Sequence, residues 1–203
     1  MYKKRGVASV IIPALVIIAV VIFVILLATG SLGGKKETPE KTVAAADAGE
    51  QALVDIHAGS AIRMTYRGRI NADQVHNSYQ ILIKPSSKEM TVYQGYLGTP
   101  IATKTYPNNF EAYTEFSYAL HRLGVMSGNE FDGKNNDVRG ICPSGRLTTF
   151  ETLNDGKTVK ELWRTSCSKD KESFTAAYKP VEKLFREQIV DFKKLIREAK
   201  ARF

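Results

Sequence analysis

Hydrophobic residues are concentrated first in one unbroken run near the start of the chain. Residues 7–28 (VASVIIPALVIIAVVIFVILLA) carry no charge, and as a helix these 22 residues extend about 33 Å, enough to cross the hydrocarbon core of a bilayer. The basic residues 3–5 and the small residues 28–31 also suit a cleaved signal peptide, but the apolar run is too long for one. We therefore predict an uncleaved transmembrane signal anchor within residues 1–29.

Polar and small residues follow this run. Residues 30–50 are mostly Gly, Lys, Glu, Thr and Ala without an apolar period, which is the composition of a solvated linker. The remaining residues, 51–203, are enough to build one hydrophobic core. We predict a single-pass membrane protein with one folded domain in residues 51–203.

Apolar and polar residues alternate with a period of two from residue 61 onward. Ile62, Met64 and Tyr66 alternate with arginine and threonine, and the same pattern returns near residues 79–83, 90–92 and 101–106. The connections are too short for crossover helices, so these strands are predicted to pair antiparallel. A hairpin is predicted with strands near residues 145–153 and 158–166, around the turn Asn154-Asp155-Gly156-Lys157.

Two segments instead show a helical period of 3.6. Residues 109–123 are predicted to form a helix with a capping box at Asn108 and Glu111, and residues 173–200 to form a longer helix kinked at Pro180. The predicted fold class is α+β: a twisted antiparallel sheet of five or six strands with two helices packed on one face. The other face is predicted to be polar and open to a partner.

The two cysteines, Cys142 and Cys167, bracket the predicted hairpin. Folding the hairpin brings them close enough to form a disulfide, although two unrelated buried thiols are the alternative. A disulfide would require an oxidising compartment. Basic residues are nearly equal in number on the two sides of the anchor, so they do not decide its orientation. The predicted disulfide favours an orientation with the N-terminus in the cytoplasm and the domain outside.

Charge and motifs exclude several function classes. The chain carries +8, but beyond residue 34 there are 26 basic and 21 acidic residues, a net +5 that does not indicate nucleic-acid binding. The histidines and cysteines match no metal-site spacing, and no nucleotide-binding or nucleophile motif occurs. We predict no metal, no cofactor and no enzymatic activity.

Three arginines, Arg63, Arg67 and Arg69, follow the polar side of the first predicted strand. Such a stripe is suited to a protein or an anionic envelope polymer, although a solvated face paired with acidic residues is the simpler interpretation. The leading hypothesis is a non-enzymatic cell-surface protein that presents a binding domain. The alternatives are an accessory subunit of a membrane or pilus-type envelope complex, and a hydrolase with an unrecognised site near His121 and residues 127–139.

The domain also shows a resemblance at the level of whole segments. The stretches IRMTYRGRI, SYQILIKPSSKEMTVYQGY, NNDVRGICPSGRLTTFETL and WRTSC are similar to small membrane-anchored proteins of Saccharibacteria and related ultrasmall bacteria. Those proteins carry no assigned activity. The resemblance therefore implies a cell-surface setting in a bacterium that lives attached to a host, and it implies no catalytic residue.

Overall fold

The computed structural model describes residues 47–167, 171–201 and 203. The predicted anchor in residues 1–29 and most of the predicted linker lie outside these residues. Within the described part, no helix has both the length and the apolar character needed to cross a membrane. The helices described are α1 (Ala48–Val54), α2 (Phe110–Arg122), α3 (Tyr178–Glu187) and α4 (Phe192–Glu198). The strands are β1 (Ser60–Arg67), β2 (Asn77–Ile83), β3 (Ser87–Gln94), β4 (Thr99–Pro107), β5 (Leu147–Asn154) and β6 (Lys157–Thr165).

All six strands form one sheet in the order β4-β3-β2-β1-β5-β6, and every neighbouring pair is antiparallel. The predicted antiparallel sheet is therefore confirmed. The β5–β6 hairpin turns at Asp155 and Gly156, whose φ angles of 49° and 78° are both left-handed, as a two-residue type I′ turn requires. The hairpin joins the meander beside β1, which becomes a central strand.

One face of the sheet carries the core. Alternate residues of β1, β2 and β5, including Met64, Ile81 and Phe150, are fully buried there beneath the helices. Phe116 of α2 and Phe185 of α3 meet edge to face with ring centroids 5.2 Å apart. Burial of such side chains, at about 1.5–3 kcal/mol each, is the main favourable contribution to folding. The α+β class is confirmed, although the described residues form four α-helices where two were predicted.

The predicted long C-terminal helix is wrong in its continuity. The structure breaks it between α3 and α4, at residues 188–191, rather than bending it at Pro180. Pro180 lies in the first turn of α3, where an amide N–H has no helical acceptor and a proline therefore costs little. The break allows Ile189 and Phe192 to be buried together at 2% and 8% exposure.

Two further boundaries differ from the predictions. Helix α1 begins at Ala48 within the predicted linker, because Asp47 caps it by accepting hydrogen bonds from two first-turn amides and Leu53 is fully buried. Helix α2 is capped by Asn109, which accepts from the Ala112 amide at 2.8 Å. Asn108, predicted to be the cap, donates its side-chain amide to the Lys84 carbonyl instead.

The second face of the sheet is only partly open. Trp163 of β6 lies on that face at 2% exposure, in edge contact with Phe131 and with its indole N–H donated to Asn136 Oδ1 at 3.0 Å. The long connection between α2 and β5 therefore covers the β5–β6 half. Strands β1 to β4 retain a solvent-facing half, so the predicted open face is reduced to these four strands.

Candidate functional site

The three predicted arginines do not form one stripe. Arg63 and Arg67 lie four residues apart on β1, on the face opposite the helices. Arg69 lies beyond the end of that strand and is exposed. Arg63 therefore lies within the sheet, whereas Arg67 and Arg69 lie near the end of β1.

Arg63 is engaged in a structural ion pair. Its Nε donates to Glu151 Oε2 at 2.6 Å and its terminal nitrogen bonds the second carboxylate oxygen, which gives a forked, two-bond contact. Glu151 is 5% exposed and also accepts from Thr158 Oγ1 at 3.0 Å. Hydrogen bonding to Glu151 raises the pKa of Arg63. Its charge is thus neutralised and is not available to an anionic polymer.

A second carboxylate lies beside this pair. Glu161 of β6 is directly opposite Glu151 in the strand register. Burial raises the pKa of Glu161, the nearby Glu151 raises it further, and the charges of Arg67 and Arg63 partly offset both effects. Arg63 is therefore a counterion for the buried Glu151, in line with the simpler of the two interpretations offered by the sequence, whereas Arg67 forms no ion pair with any described residue.

The end of the sheet where β1 stops has a different character. The loop after β1 is joined to the β3–β4 turn by mutual hydrogen bonds between Tyr96 and Asn71: the Asn71 amide donates to the Tyr96 hydroxyl at 3.0 Å, and that hydroxyl donates to the Asn71 carbonyl at 2.8 Å. The ring of His76 stacks on Tyr96 with centroids 4.1 Å apart. His76 Nδ1 lies 3.2 Å from the Arg69 carbonyl, which only accepts, so this nitrogen carries the proton. Arg69 is thereby held at this end of the sheet.

Large apolar side chains are exposed on these two joined loops. We call them the apolar tip: Ile70, Val75, Tyr96 and Leu97, at 47%, 57%, 52% and 97% exposure. Exposed apolar side chains with aromatic and arginine neighbours are typical of a protein-binding surface. The sequence pattern did not bring these four residues together, because they lie on two separate loops.

A small cleft opens beside the apolar tip. Its volume is about 200 Å³, and Arg67 and Arg139 contribute charge to a wall that is otherwise mostly apolar. Arg139 is itself held by Asp137, whose Oδ1 lies 2.8 Å from its Nε, and this contact lowers the pKa of Asp137 to about 2. The other residues that line the cleft are Gly68, Ile70, His76, Tyr96, Val138, Gly140, Ile141, Cys142 and Leu147.

The predicted disulfide is confirmed. Cys142 and Cys167 are bonded, with their Cα atoms 5.6 Å apart. Gly145 is required beside it, because a Cβ atom there would overlap both Cys142 Sγ and Ser166 Oγ. The bond attaches the loop that lines the tip cleft to the end of β6.

The histidines are dispersed. His121 lies in the last turn of α2 and is exposed, whereas His76 is buried at the tip and His57 precedes β1. Among the described residues, no group of three or more His, Cys, Asp or Glu is placed to hold a metal ion.

Comparison of the chain with protein families, with curated proteins and with solved structures finds no match.

Proposed function

We propose that this chain is a non-enzymatic, membrane-anchored cell-surface protein that binds a protein partner through the apolar tip and the adjoining Arg67 and Arg69. The observation that carries this proposal is the exposure of four large apolar side chains on two loops that are joined to each other by hydrogen bonds. Burial of apolar surface against a partner would stabilise a complex, and aromatic residues and arginine dominate the energetics of such interfaces.

A protein suits this surface better than an anionic polymer. Apolar side chains such as Val75 and Leu97 gain nothing from a polyanion, and Arg63 is already paired with Glu151. The arginines that remain, Arg67 and Arg69, are placed to pair with carboxylates at the rim of a protein interface.

The proposed location is the outer surface of the cell membrane, with the predicted span in residues 1–29 as anchor and the N-terminus inside. The Cys142–Cys167 disulfide supports it, since such bonds persist in oxidising compartments. On intact cells, the two thiols should react with an impermeant reagent only after external reductant is added. Reaction that also requires the membrane to be opened would contradict this orientation.

The binding surface can be tested by cross-linking in living cells. A photoreactive residue placed at Leu97 should form a discrete adduct with a partner protein. The matched control is Val190, which is 85% exposed but lies between α3 and α4. Substitution of Arg67 and Arg69 by serine should reduce the adduct at residue 97. Equal adducts at residues 97 and 190, or none at residue 97, would contradict the proposal.

A further inference from the structure

A second cleft, which we call the aromatic cleft, lies on the helix-covered side of the sheet. Its floor is formed by Tyr66 and Tyr79, whose rings stack with centroids 4.9 Å apart, and Phe192 of α4 contributes to its wall. Its volume is about 430 Å³. Clefts of roughly 300–1,000 Å³ lined by aromatic residues are the usual setting for small-molecule sites.

The hydroxyl group of Tyr79 is left without a partner. The side chain is 2% exposed, and its hydroxyl makes no hydrogen bond to any described residue. Burial raises the pKa of Tyr79 far above its ordinary range, so the group remains a protonated donor. An unpaired buried hydroxyl is unfavourable, and an acceptor atom of a ligand would relieve it.

Positive charge surrounds the mouth of this cleft. Four basic residues line it against one acidic residue, Glu182, which accepts from Arg186 at 3.3 Å. The guanidinium of Arg186 also lies over the ring of Phe192, 4.4 Å from its centroid. The other three basic residues form no ion pair with any residue described: Arg146, Lys193 and Arg197. The mouth therefore attracts an anion.

The floor of the cleft is suited to an aromatic ring. The ring of Phe203 packs edge-on against both Tyr66 and Tyr79, with centroids 5.4 and 5.3 Å apart. Edge-to-face contacts of this kind add to the stabilisation from burial alone. A planar ligand ring in the remaining space beside Phe203 would meet the same tyrosine surfaces.

We propose that the aromatic cleft is a binding site for a small aromatic anion, a planar ring that carries a carboxylate or a phosphate. Its ring packs against Tyr66, Tyr79 and Phe192. Its anionic oxygens accept from the Tyr79 hydroxyl and pair with Arg146 and Arg197. The site lies on the sheet face opposite Arg63 and Arg67 and shares no residue with the apolar tip. This proposal can therefore be tested independently of the proposed protein partner.

Calorimetric titration of the full chain in phosphatidylcholine nanodiscs, with empty nanodiscs as the blank, tests the ligand class. The probe is 2-naphthoate, and we expect saturable binding with a Kd on the order of 100 µM. Neutral 2-naphthamide should bind at least about tenfold more weakly, because it lacks the charge. Binding of 2-naphthyl phosphate tighter than that of the carboxylate would assign the phosphate form. The proposal would be overturned if 2-naphthamide, or inorganic phosphate alone, bound with the same affinity as 2-naphthoate.

Single substitutions test the residues. Tyr79→Phe removes only the hydroxyl and should weaken 2-naphthoate binding by about tenfold. Arg146→Gln should weaken it by about fivefold. The matched control is Lys194→Gln, which makes the same charge change in the neighbouring α3–α4 groove but not in this cleft, and should stay within about twofold. Correctly folded Tyr79→Phe and Arg146→Gln proteins that bind like the control would overturn the assignment.

Discussion

The two outer strands of the sheet protect their free edges in different ways. On β6, three successive outward amides are satisfied by distant segments: Glu161 N–H donates to Glu130, Trp163 N–H to Ser173 Oγ and Thr165 N–H to Glu172, at 2.7, 2.8 and 3.0 Å. On β4, most side chains are exposed, and the strand carries Pro100 and Pro107, which have no amide to donate.

The edge of β4 is thus protected by its own sequence, whereas the edge of β6 is protected by tertiary contacts. Strand β4 discourages edge pairing through its own sequence and through the register shift opposite Val92 and Tyr93. Strand β6 depends on loops from elsewhere in the chain, held by Trp163 and by the disulfide. Damage to the loops should therefore affect β6 and leave β4 intact.

The largest effect is expected for Trp163→Ala. The side chain is 2% exposed and contacts both Phe131 and Asn136, so its removal leaves a large cavity and should lower the free energy of unfolding by about 3–5 kcal/mol. Tyr93→Ala, on the same face but half-buried beside β4, should cost about 1 kcal/mol. Chemical denaturation of both variants measures this, and similar losses would remove the distinction between the two halves.

Removal of the disulfide is expected to have the next largest effect. The double substitution Cys142→Ser and Cys167→Ser frees a loop with a sequence separation of 25 and should cost about 3 kcal/mol. Hydrogen exchange should accelerate in residues 139–146, which contain Cys142, and in residues 171–174, which follow Cys167, while amides of β3 and β4 keep their relative protection. A uniform acceleration across the sheet would show that the loops and the sheet unfold as one unit.

The parts of the fold predicted correctly are those with a regular period. The alternation at Ile62, Met64 and Tyr66 identified β1, and Asp155-Gly156 identified the hairpin turn, because both signals are local. Loops have no period, so the cover provided by Phe131 and Asn136 over Trp163 was not foreseen. The cysteine pair was predicted only because the hairpin brought its two ends together.

The candidate site was predicted less well for the same reason. Arg63 and Arg67 were placed correctly on one strand face, but the pairing of Arg63 with Glu151 joins residues 88 positions apart, and such a contact depends on strand order. The apolar tip depends on the contact between Tyr96 and Asn71, which joins two separate loops. Helix α1 has only seven residues, too few for a helical period to be recognised in the sequence, and the burial of Leu53 in the core reveals it.

A smaller effect is expected for the lysines of the two outer strands. Lys160 of β6 is 5% exposed and donates to Asp47 Oδ2 at 2.6 Å and to the Met126 carbonyl at 2.7 Å. Lys160→Ala leaves both acceptors unpaired, and because Asp47 is partly exposed the cost should be about 2 kcal/mol. Lys104→Ala on exposed β4 should change stability by less than about 0.5 kcal/mol. Thermal unfolding of the two variants measures this difference. A loss of stability in Lys104→Ala as large as that in Lys160→Ala would contradict the comparison.

The smallest effect is expected for two carboxylates on the sheet face opposite the helices, one in its covered half and one in its open half. Glu161 beside β5 is compared with Glu89 of β3, which accepts from Thr105 of β4. Burial and then the charge of Glu151 raise the pKa of Glu161 above its ordinary value of 4.5. The folded state therefore binds this proton more tightly than the unfolded chain, so the stability falls as the pH rises from about 4.5 through the folded pKa.

At neutral pH the ionised Glu161 consequently destabilises the fold. Glu161→Gln should raise the free energy of unfolding by a few tenths of a kcal/mol at pH 7 and flatten its decline above about pH 4.5, because the amide cannot ionise. Glu89→Gln is the matched control and should leave that decline in place. Urea unfolding at intervals between about pH 4 and pH 7 provides the measurement. If Glu161→Gln loses stability at pH 7, the attraction of Glu161 to Arg67 and Arg63 outweighs its burial and its repulsion by Glu151. The covered and open halves of this face would then not differ in the way proposed.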